Sequence, residues 1–166
     1  MPALKNLDDL FVHTLCRVYD AERRLASALR KMANAAEARE LKQAFESHLT
    51  ETKAHVGRIE QLFAMFNRKP NADTDDGVRG ILKTGEDTIR LNAGNSVKDA
   101  ALIVAAQEAE HYEIAAYGTL RTWAQVLKRP DAVKLLEQTL EEEKRADQTL
   151  TAIAGHLNFQ AAAAAS

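Results

Sequence analysis

The sequence has few residues of the kinds that build sheets, disulfides or long loops. Its 166 residues include one cysteine, three prolines and seven glycines, and aromatic residues make up only 5%. A single cysteine excludes an intramolecular disulfide and suits a reducing compartment. We therefore expect Cys16 to be a small buried apolar residue on a helix. Ala, Leu, Glu, Lys, Arg and Gln dominate instead, which favours an all-helical chain.

Charge and motifs exclude several classes of function. A net charge of −2 provides no basic field for nucleic acid or an anionic membrane. The dinucleotide motif GxGxxG, the phosphate-binding motif GxxxxGKS/T and the zinc motifs CxxC and HExxH are all missing. The first residues do not resemble a signal peptide, and no run approaches the roughly 20 apolar residues of a membrane span. The sequence predicts a cytoplasmic protein without nucleic-acid or membrane partners.

Apolar residues recur at three- and four-residue steps, the spacing of one helix face. This pattern predicts four long helices and one shorter helix, at about 8–35, 38–67, 97–127, 130–157 and 78–91. Ser96 and Asp99 match a capping box that would open the third long helix. We expect one domain over residues 1–160 and a frayed alanine-rich tail over 161–166.

Two tight connections, near residues 36 and 129, predict two antiparallel helical hairpins. The 70–96 segment is long enough to cross between them, so the expected fold is an all-α, ferritin-like antiparallel four-helix bundle whose crossover contains the short helix. An internal repeat supports this fold. A shift of 91 positions gives eight identities over the 36 pairs from Asp20 to His55, and it pairs Glu22 with Glu113.

Acidic residues interrupt the apolar stripes of these helices. Glu22 and Glu113 lie on the stripes of the first and third long helices, and Glu143 and Asp147 occupy adjacent turns of the last. An unpaired ionised carboxylate in a dry core is very costly, so such groups must be paired, protonated or bound to a cation. Oxygen-rich clusters with an imidazole suit iron or manganese. The stripes therefore predict a metal site in the bundle core.

Further candidates flank the stripes. Glu110 precedes Glu113 by three residues on nearly the same helix side, and Glu51 precedes His55 by about one turn. Glu142 is the repeat equivalent of Glu51, but it could equally be a surface acid. His55 is either a ligand or a hydrogen-bonded residue at the bundle edge. We expect structural or exposed roles for the other histidines, His13, His48, His111 and His156.

Several segments resemble the YciE/YciF stress-protein family, a ferritin-like branch whose activity is not established. They are YDAERRL, FESHLTET with HVGRIEQLF, DAALIVAAQEAEHYEIAAYGTLRTWA and KLLEQTLEEEKRAD, in this order within about residues 4–157. The resemblance implies a ferritin-like four-helix bundle, a homodimer and a di-iron centre in a bacterial stress protein.

Applied to this chain, the ferritin-like pattern implies Glu22, Glu51, either Glu113 or Glu110, and Glu143 as ligands. The paired Glu-x-x-His motif of the superfamily is missing, because His55 follows Glu51 at the fourth position and not the third. A site poor in nitrogen would bind metal more weakly. We predict a metal site made of Glu22, Glu51, His55, Glu110, Glu113, Glu143 and Asp147. Tyr19 and Tyr112 are expected as hydrogen-bond donors beside it.

These observations leave more than one function open. The leading hypothesis is a di-metal carboxylate protein, with iron or alternatively manganese, that handles iron or peroxide during stress. The alternative is a non-catalytic dimeric bundle that binds partners and keeps its central acids protonated or bridged by water. An iron-storage cage is a third and weaker hypothesis, because nothing in the sequence specifies a large shell.

Overall fold

The computed structural model describes residues 4–163 and consists of helices without a strand in that range. The helices are α1 (Leu7–Ala35), α2 (Arg39–Met65), α3 (Asp76–Ile89), α4 (Asn95–Val126) and α5 (Pro130–Ala163). The all-α prediction is confirmed. The prediction of a frayed tail is wrong for residues 161–163, because α5 continues through them, and residues 164–166 lie outside the described range. None of the described helices is long and apolar enough to cross a membrane.

The four long helices form a bundle in which each has two long neighbours. α1 packs against α2 and α4, and α5 also packs against α2 and α4, while α3 lies on α1 and α4. Short connections at residues 36–38 and 127–129 make α1–α2 and α4–α5 antiparallel hairpins. The segment from 66 to 94, which includes α3, crosses between them. This confirms the predicted bundle with a crossover helix.

The internal repeat is visible in the helix boundaries. α1 ends at Ala35 and α4 at Val126, while α2 begins at Arg39 and α5 at Pro130, so both pairs are 91 positions apart. The two hairpins therefore share one register, and residues separated by 91 positions occupy equivalent places in the bundle.

The apolar core is divided into two large clusters at opposite ends of the bundle. The cluster at one end includes Phe11, Leu15, Phe63, Leu120 and Leu136. The cluster at the other end includes Leu29, Leu41, Phe45, Leu102 and Leu150. Between them, every long helix contributes at least one buried glutamate or histidine. The polar layer is thus enclosed at both ends by close-packed apolar side chains, which keep bulk water out.

The predicted capping box of the third long helix is wrong. α4 begins after Gly94, so Ser96 lies inside the helix and does not cap it. The Asp99 carboxylate instead accepts the backbone N–H groups of Glu37 at 3.0 Å and Ala38 at 2.7 Å, which lie in the connection between α1 and α2. These two groups precede the first turn of α2, and the N-cap residue Ala38 has no side-chain oxygen with which to cap that turn. α4 therefore anchors the α1–α2 connection through a tertiary contact that a local motif cannot reveal.

We expect Asp99→Ala to lower the free energy of unfolding by about 1–2 kcal/mol, because two N–H groups of the α1–α2 connection lose their buried acceptor. Urea unfolding followed by circular dichroism would measure the change. Asp131→Ala is the control, since Asp131 is an exposed acid in the first turn of α5. It should cost less than about 1 kcal/mol. Equal losses in the two variants would contradict this anchoring role of Asp99.

Candidate metal centre

Four glutamates and two histidines form the polar layer between the apolar clusters. They are Glu22 on α1, His48 and His55 on α2, Glu110 and Glu113 on α4, and Glu143 on α5. Glu22, His55 and Glu143 are fully buried, and the other three side chains belong to residues at most 6% exposed. Six ionisable side chains therefore share one buried region of the core.

The potential ligand atoms form two groups. The first group comprises His48, Glu110, Glu113 and Glu143, and the second comprises Glu22, His55 and Glu143. Within each group, one atom from each residue lies within 4.8 Å of all the others. Glu143 faces both groups, because its Oε2 lies 3.4 Å from His48 Nε2 and its Oε1 lies 2.9 Å from His55 Nδ1. Glu143 is therefore the one residue that the two groups share.

Several of these atoms lack a hydrogen bond. Glu22 Oε2, Glu110 Oε2 and Glu113 Oε1 have no hydrogen-bond partner. His55 Nδ1 and the two Glu143 oxygens lie within ion-pair distance of a neighbour but form no hydrogen bond of good geometry. Buried polar atoms in folded proteins are almost always satisfied, so a cluster of unsatisfied atoms calls for a binding partner. Carboxylate oxygens and imidazole nitrogens are ligands that suit iron and manganese. The residues present therefore fit a pair of divalent cations.

Burial raises the pKa of the central carboxyl groups. For Glu113, burial and then the negative charges of the neighbouring glutamates hold the pKa well above its usual range. Burial also raises the pKa of Glu110 to about 7, although His48 opposes the shift. The pKa of Glu22 is raised by burial against the effect of His55. These groups keep their protons to a higher pH than exposed glutamates do, unless a cation displaces the protons.

The two histidines have raised pKa values because carboxylates surround them. Burial lowers the pKa of His55, but the carboxylates of Glu143 and Glu22 outweigh burial and raise it to about 10. Burial also lowers the pKa of His48, but the carboxylates of Glu110, Glu51 and Glu143 outweigh burial and hold this pKa well above the usual value. Protonated imidazoles can therefore supply positive charge to the layer when no metal does so.

Each histidine is also held from the outer side by a further carboxylate. Glu142 Oε2 lies 2.8 Å from His55 Nε2, and Glu51 Oε2 lies 3.4 Å from His48 Nδ1. Metal-binding histidines usually donate their second N–H to such a group, which fixes the tautomer and the ring orientation. Consequently His55 turns Nδ1 toward the centre, whereas His48 turns Nε2 toward it.

The two outer carboxylates occupy equivalent positions in the repeat. Glu51 and Glu142 are 91 positions apart, and each pairs with an arginine of the facing helix. Arg58 Nη2 lies 3.0 Å from Glu142 Oε1, and Arg145 Nη2 lies 3.3 Å from Glu51 Oε1. Although burial opposes the shift, hydrogen bonds from Arg58 and His55 lower the pKa of Glu142 to about 2. The structure therefore places Glu51, predicted as a ligand, outside the central groups.

The structure brings together five of the residues predicted as ligands: Glu22, His55, Glu110, Glu113 and Glu143. Asp147 lies apart from them, with its Oδ1 3.0 Å from Gln107 Nε2 and 3.3 Å from His111 Nε2. Four residues along a helix turn by about 400°, so Asp147 is rotated by about 40° from Glu143. That rotation moves its carboxylate to the edge of the bundle.

His48 was predicted to be structural, and the structure places it among the candidate ligands. Its Nε2 lies 3.1 Å from Glu110 Oε1. The available signal was the spacing between His48 and His55, because seven residues make about two helical turns and return to the same face.

The tyrosine beside the layer is also a different one from those predicted. Tyr19 donates to Glu60 and Tyr112 to Asp75, both away from the centre. Tyr117 is buried and donates its hydroxyl hydrogen to Glu22 Oε1. Its position four residues after Glu113 on α4 is the signal that could have indicated it.

Each hairpin carries one half of the Glu-x-x-His motif, at positions that sequence reasoning missed. α2 carries Thr52-x-x-His55, and the equivalent positions of α5 carry Glu143-x-x-Ala146. Thr52 and Glu143 are both buried, which identifies them as the paired inward positions. One hairpin has therefore kept the histidine of the motif and the other has kept the glutamate.

We expect the chelator-treated protein to lose stability as the pH rises. The carboxyl pKa values of Glu110 and Glu113 are raised on folding, so the folded state binds more protons than the unfolded state above about pH 4.5. The contribution of His55 has the same sign: it is complete below about pH 6.5 and is lost as the pH approaches about 10.

Urea midpoints measured between about pH 6 and pH 9 would test this expectation. Glu113→Gln removes one titrating carboxyl group and should make the fall shallower. Glu141→Gln, at an exposed position of α5, should leave it unchanged. A midpoint that rises with pH over this interval would show that the sign is wrong.

Comparisons with known proteins agree with this architecture. Residues 6–163 match the family model described as "Domain of unknown function (DUF892)". Over 152 residues, the chain is 43% identical to Protein YciF of Escherichia coli (strain K12), a match that covers 91% of this chain and 92% of that protein.

Solved structures show the same fold. The crystal structure of the E. coli stress protein YciF matches with a TM-score of 0.89 and 42% identity, over 93% of this chain and 98% of that one. YcfI of Rhodopseudomonas palustris, described as a candidate structural protein, matches with a TM-score of 0.84 and 38% identity, over 89% and 94% of the two chains. A Xanthomonas campestris protein, at 19% identity and a TM-score of 0.73 over 93% and 94%, supports the fold alone. The chain belongs to the DUF892 family of helical-bundle proteins and is a relative of the E. coli stress protein YciF.

Proposed function

We propose that this protein is a di-metal carboxylate protein that binds iron, or alternatively manganese, in its core and handles iron or peroxide under stress. The observation that supports the proposal is the convergence of four buried glutamates and two buried histidines, in which one carboxylate oxygen each of Glu22, Glu110 and Glu113 has no hydrogen-bond partner. The stress role is extended from YciF, which is described as a stress protein. We expect the protein to act in the cytoplasm as a homodimer.

The two groups of ligands suggest how the ions would be shared. His48, Glu110 and Glu113 would hold one ion, Glu22 and His55 would hold the other, and Glu143 would serve both. When bound, iron would supply a Lewis acid and a source of electrons.

The remaining chemistry belongs to the chain itself. The apolar clusters exclude water, and Glu51 and Glu142 orient the two imidazoles. Tyr117 donates a hydrogen bond to Glu22 and so fixes that carboxylate. Because Glu110 and Glu113 hold protons in the absence of a cation, metal uptake would release these protons.

The direct test is metal analysis of protein loaded with ferrous iron and then freed of unbound ions. Glu143→Gln should lose most of the bound metal, because this residue serves both groups. Glu141→Gln, exposed and two positions away, is the matched control and should load like the unmodified protein. Unmodified protein should approach two ions per chain, and a content below about 0.2 per chain would overturn the proposal.

Glu113→Leu provides an independent test with two readouts. In chelator-treated protein, replacing this buried carboxyl group by a packed side chain should raise the free energy of unfolding, by about 1 kcal/mol or more. In iron-loaded protein, the same variant should hold less metal because one ligand is lost. Higher stability with unchanged metal content would show that Glu113 is not a ligand.

The alternative function is a non-catalytic bundle that acts as a structural or interaction protein. It is favoured by the description of YcfI as a candidate structural protein, and by exposed apolar side chains such as Val104 on α4 and Phe159 on α5. A well-folded protein that dimerises but retains no metal after loading would support this function over the first. Both functions allow a dimer, so metal analysis of the dimer isolated by sedimentation after loading would distinguish the two.

A further inference from the structure

One of the differences between the two hairpins lies next to the polar layer. Ala146 on α5 is the repeat equivalent of His55 on α2, so the second hairpin has a methyl group where the first has an imidazole. His48 does not replace the missing ring by symmetry, because its own repeat equivalent is Thr139. The centre therefore has unused space on the side of α5.

A cavity of about 230 Å³ occupies this side of the bundle. Its lining includes Ala146, and its inner wall contains His48 and Glu110. Both inner side chains are at least nine-tenths buried, and Glu110 Oε2 has no hydrogen-bond partner. The cavity is smaller than the pockets of about 300–1,000 Å³ that hold drug-sized ligands, so it suits a small molecule.

The remaining walls define what such a molecule would look like. Phe45 and Leu150 form apolar walls, which favour a short apolar or planar body. Arg145 and Glu51 also line the cavity, and their ion pair is partly exposed to solvent. Exposed ion pairs are weak, so this pair can separate to admit a ligand without a large cost.

We propose that this cavity binds a small molecule in the space left by the missing imidazole at position 146. A nitrogen or oxygen atom of this molecule that can ligate a metal ion (its donor atom) would face His48 and Glu110. The inference rests on the proposed function, because the donor atom would complete the surroundings of the ion held by the His48 group. Because Ala146 has only a methyl group, the cavity is not filled by a side chain at this position. Its polar inner wall favours the binding of ligands that carry a donor atom over purely apolar ligands.

Imidazole is the probe, because it carries a donor nitrogen on a small planar body and reproduces the missing side chain. Isotope-labelled, zinc-loaded protein would be titrated with imidazole, and backbone amide shifts would be followed by nuclear magnetic resonance. We expect saturable shifts confined to residues 44–51, 110 and 145–150, with an affinity in roughly the millimolar range for so small a ligand.

Three variants make the result specific. Ala146→His supplies its own imidazole and should abolish the shifts, while zinc content is kept or increased. Ala44→Leu narrows the cavity from α2 without adding a donor atom, and it should weaken binding several-fold even if Ala146→His folds poorly. Ala152→His places the same new side chain at an exposed position of α5 and should bind imidazole like the unmodified protein.

The outcomes separate this inference from the metal proposal. Zinc retained with no saturable shifts in the cavity overturns the inference and leaves the metal proposal standing. If zinc is not retained, the iron-loading measurement still decides about the metal proposal, and the same titration of metal-free protein decides about the cavity. Shifts that persist in Ala146→His, or that spread evenly over the surface, also overturn the inference.

Discussion

The structure depends on one constraint, which is the burial of four carboxyl groups and two imidazoles at one level of the bundle. An isolated ionised carboxylate in such a place would be prohibitively unfavourable, so the groups must share protons, pair with each other or bind cations. The observed arrangement satisfies part of this need through the histidines, whose raised pKa values reflect the carboxylates around them. The unsatisfied carboxylate oxygens of the layer are the observation on which the proposed metal site rests.

A second ring of interactions holds this layer in place. The repeat-equivalent acids Glu51 and Glu142 each contact one histidine and one arginine of the facing helix. These contacts tie α2 to α5 at the level of the centre, and Tyr117 ties α4 to α1. The hydrogen bonds from the α1–α2 connection to Asp99 add another link between the hairpins. The polar interactions therefore fix the positions of helices that the apolar clusters alone would hold with less specificity.

The centre also departs from the symmetry of the repeat. Glu22 and Glu113 are equivalent and both are buried, but Thr52 corresponds to Glu143 and Ala146 corresponds to His55. The chain compensates with His48 and Glu110, which have no equivalents of the same type in the other hairpin. The result is two unequal groups of ligands around a shared Glu143, with a cavity beside only one of them.

The amino-acid sequence by itself determined the helices, the hairpins, the crossover and five members of the polar layer. It could do so because the spacing of apolar residues is a local property of the chain. An acidic residue among those apolar positions can be recognised without knowing which helix packs against it. Sequence reasoning was least precise for residues at the margin of a stripe. Glu51 was expected to flank the stripe as a ligand, whereas the structure buries the adjacent Thr52, and the helix rotates Asp147 away from the centre. Those outcomes depend on a few tens of degrees of helix rotation.

Only the tertiary structure decided which polar side chains meet. His48 faces Glu110, Tyr117 reaches Glu22, and Asp99 binds the α1–α2 connection, and each of these contacts joins residues that are distant in the chain. Their partners are set by helix packing and not by neighbouring residues, so a motif search has nothing local to detect. The physical reason is that secondary structure follows from local periodicity, whereas the site forms where four separate faces converge.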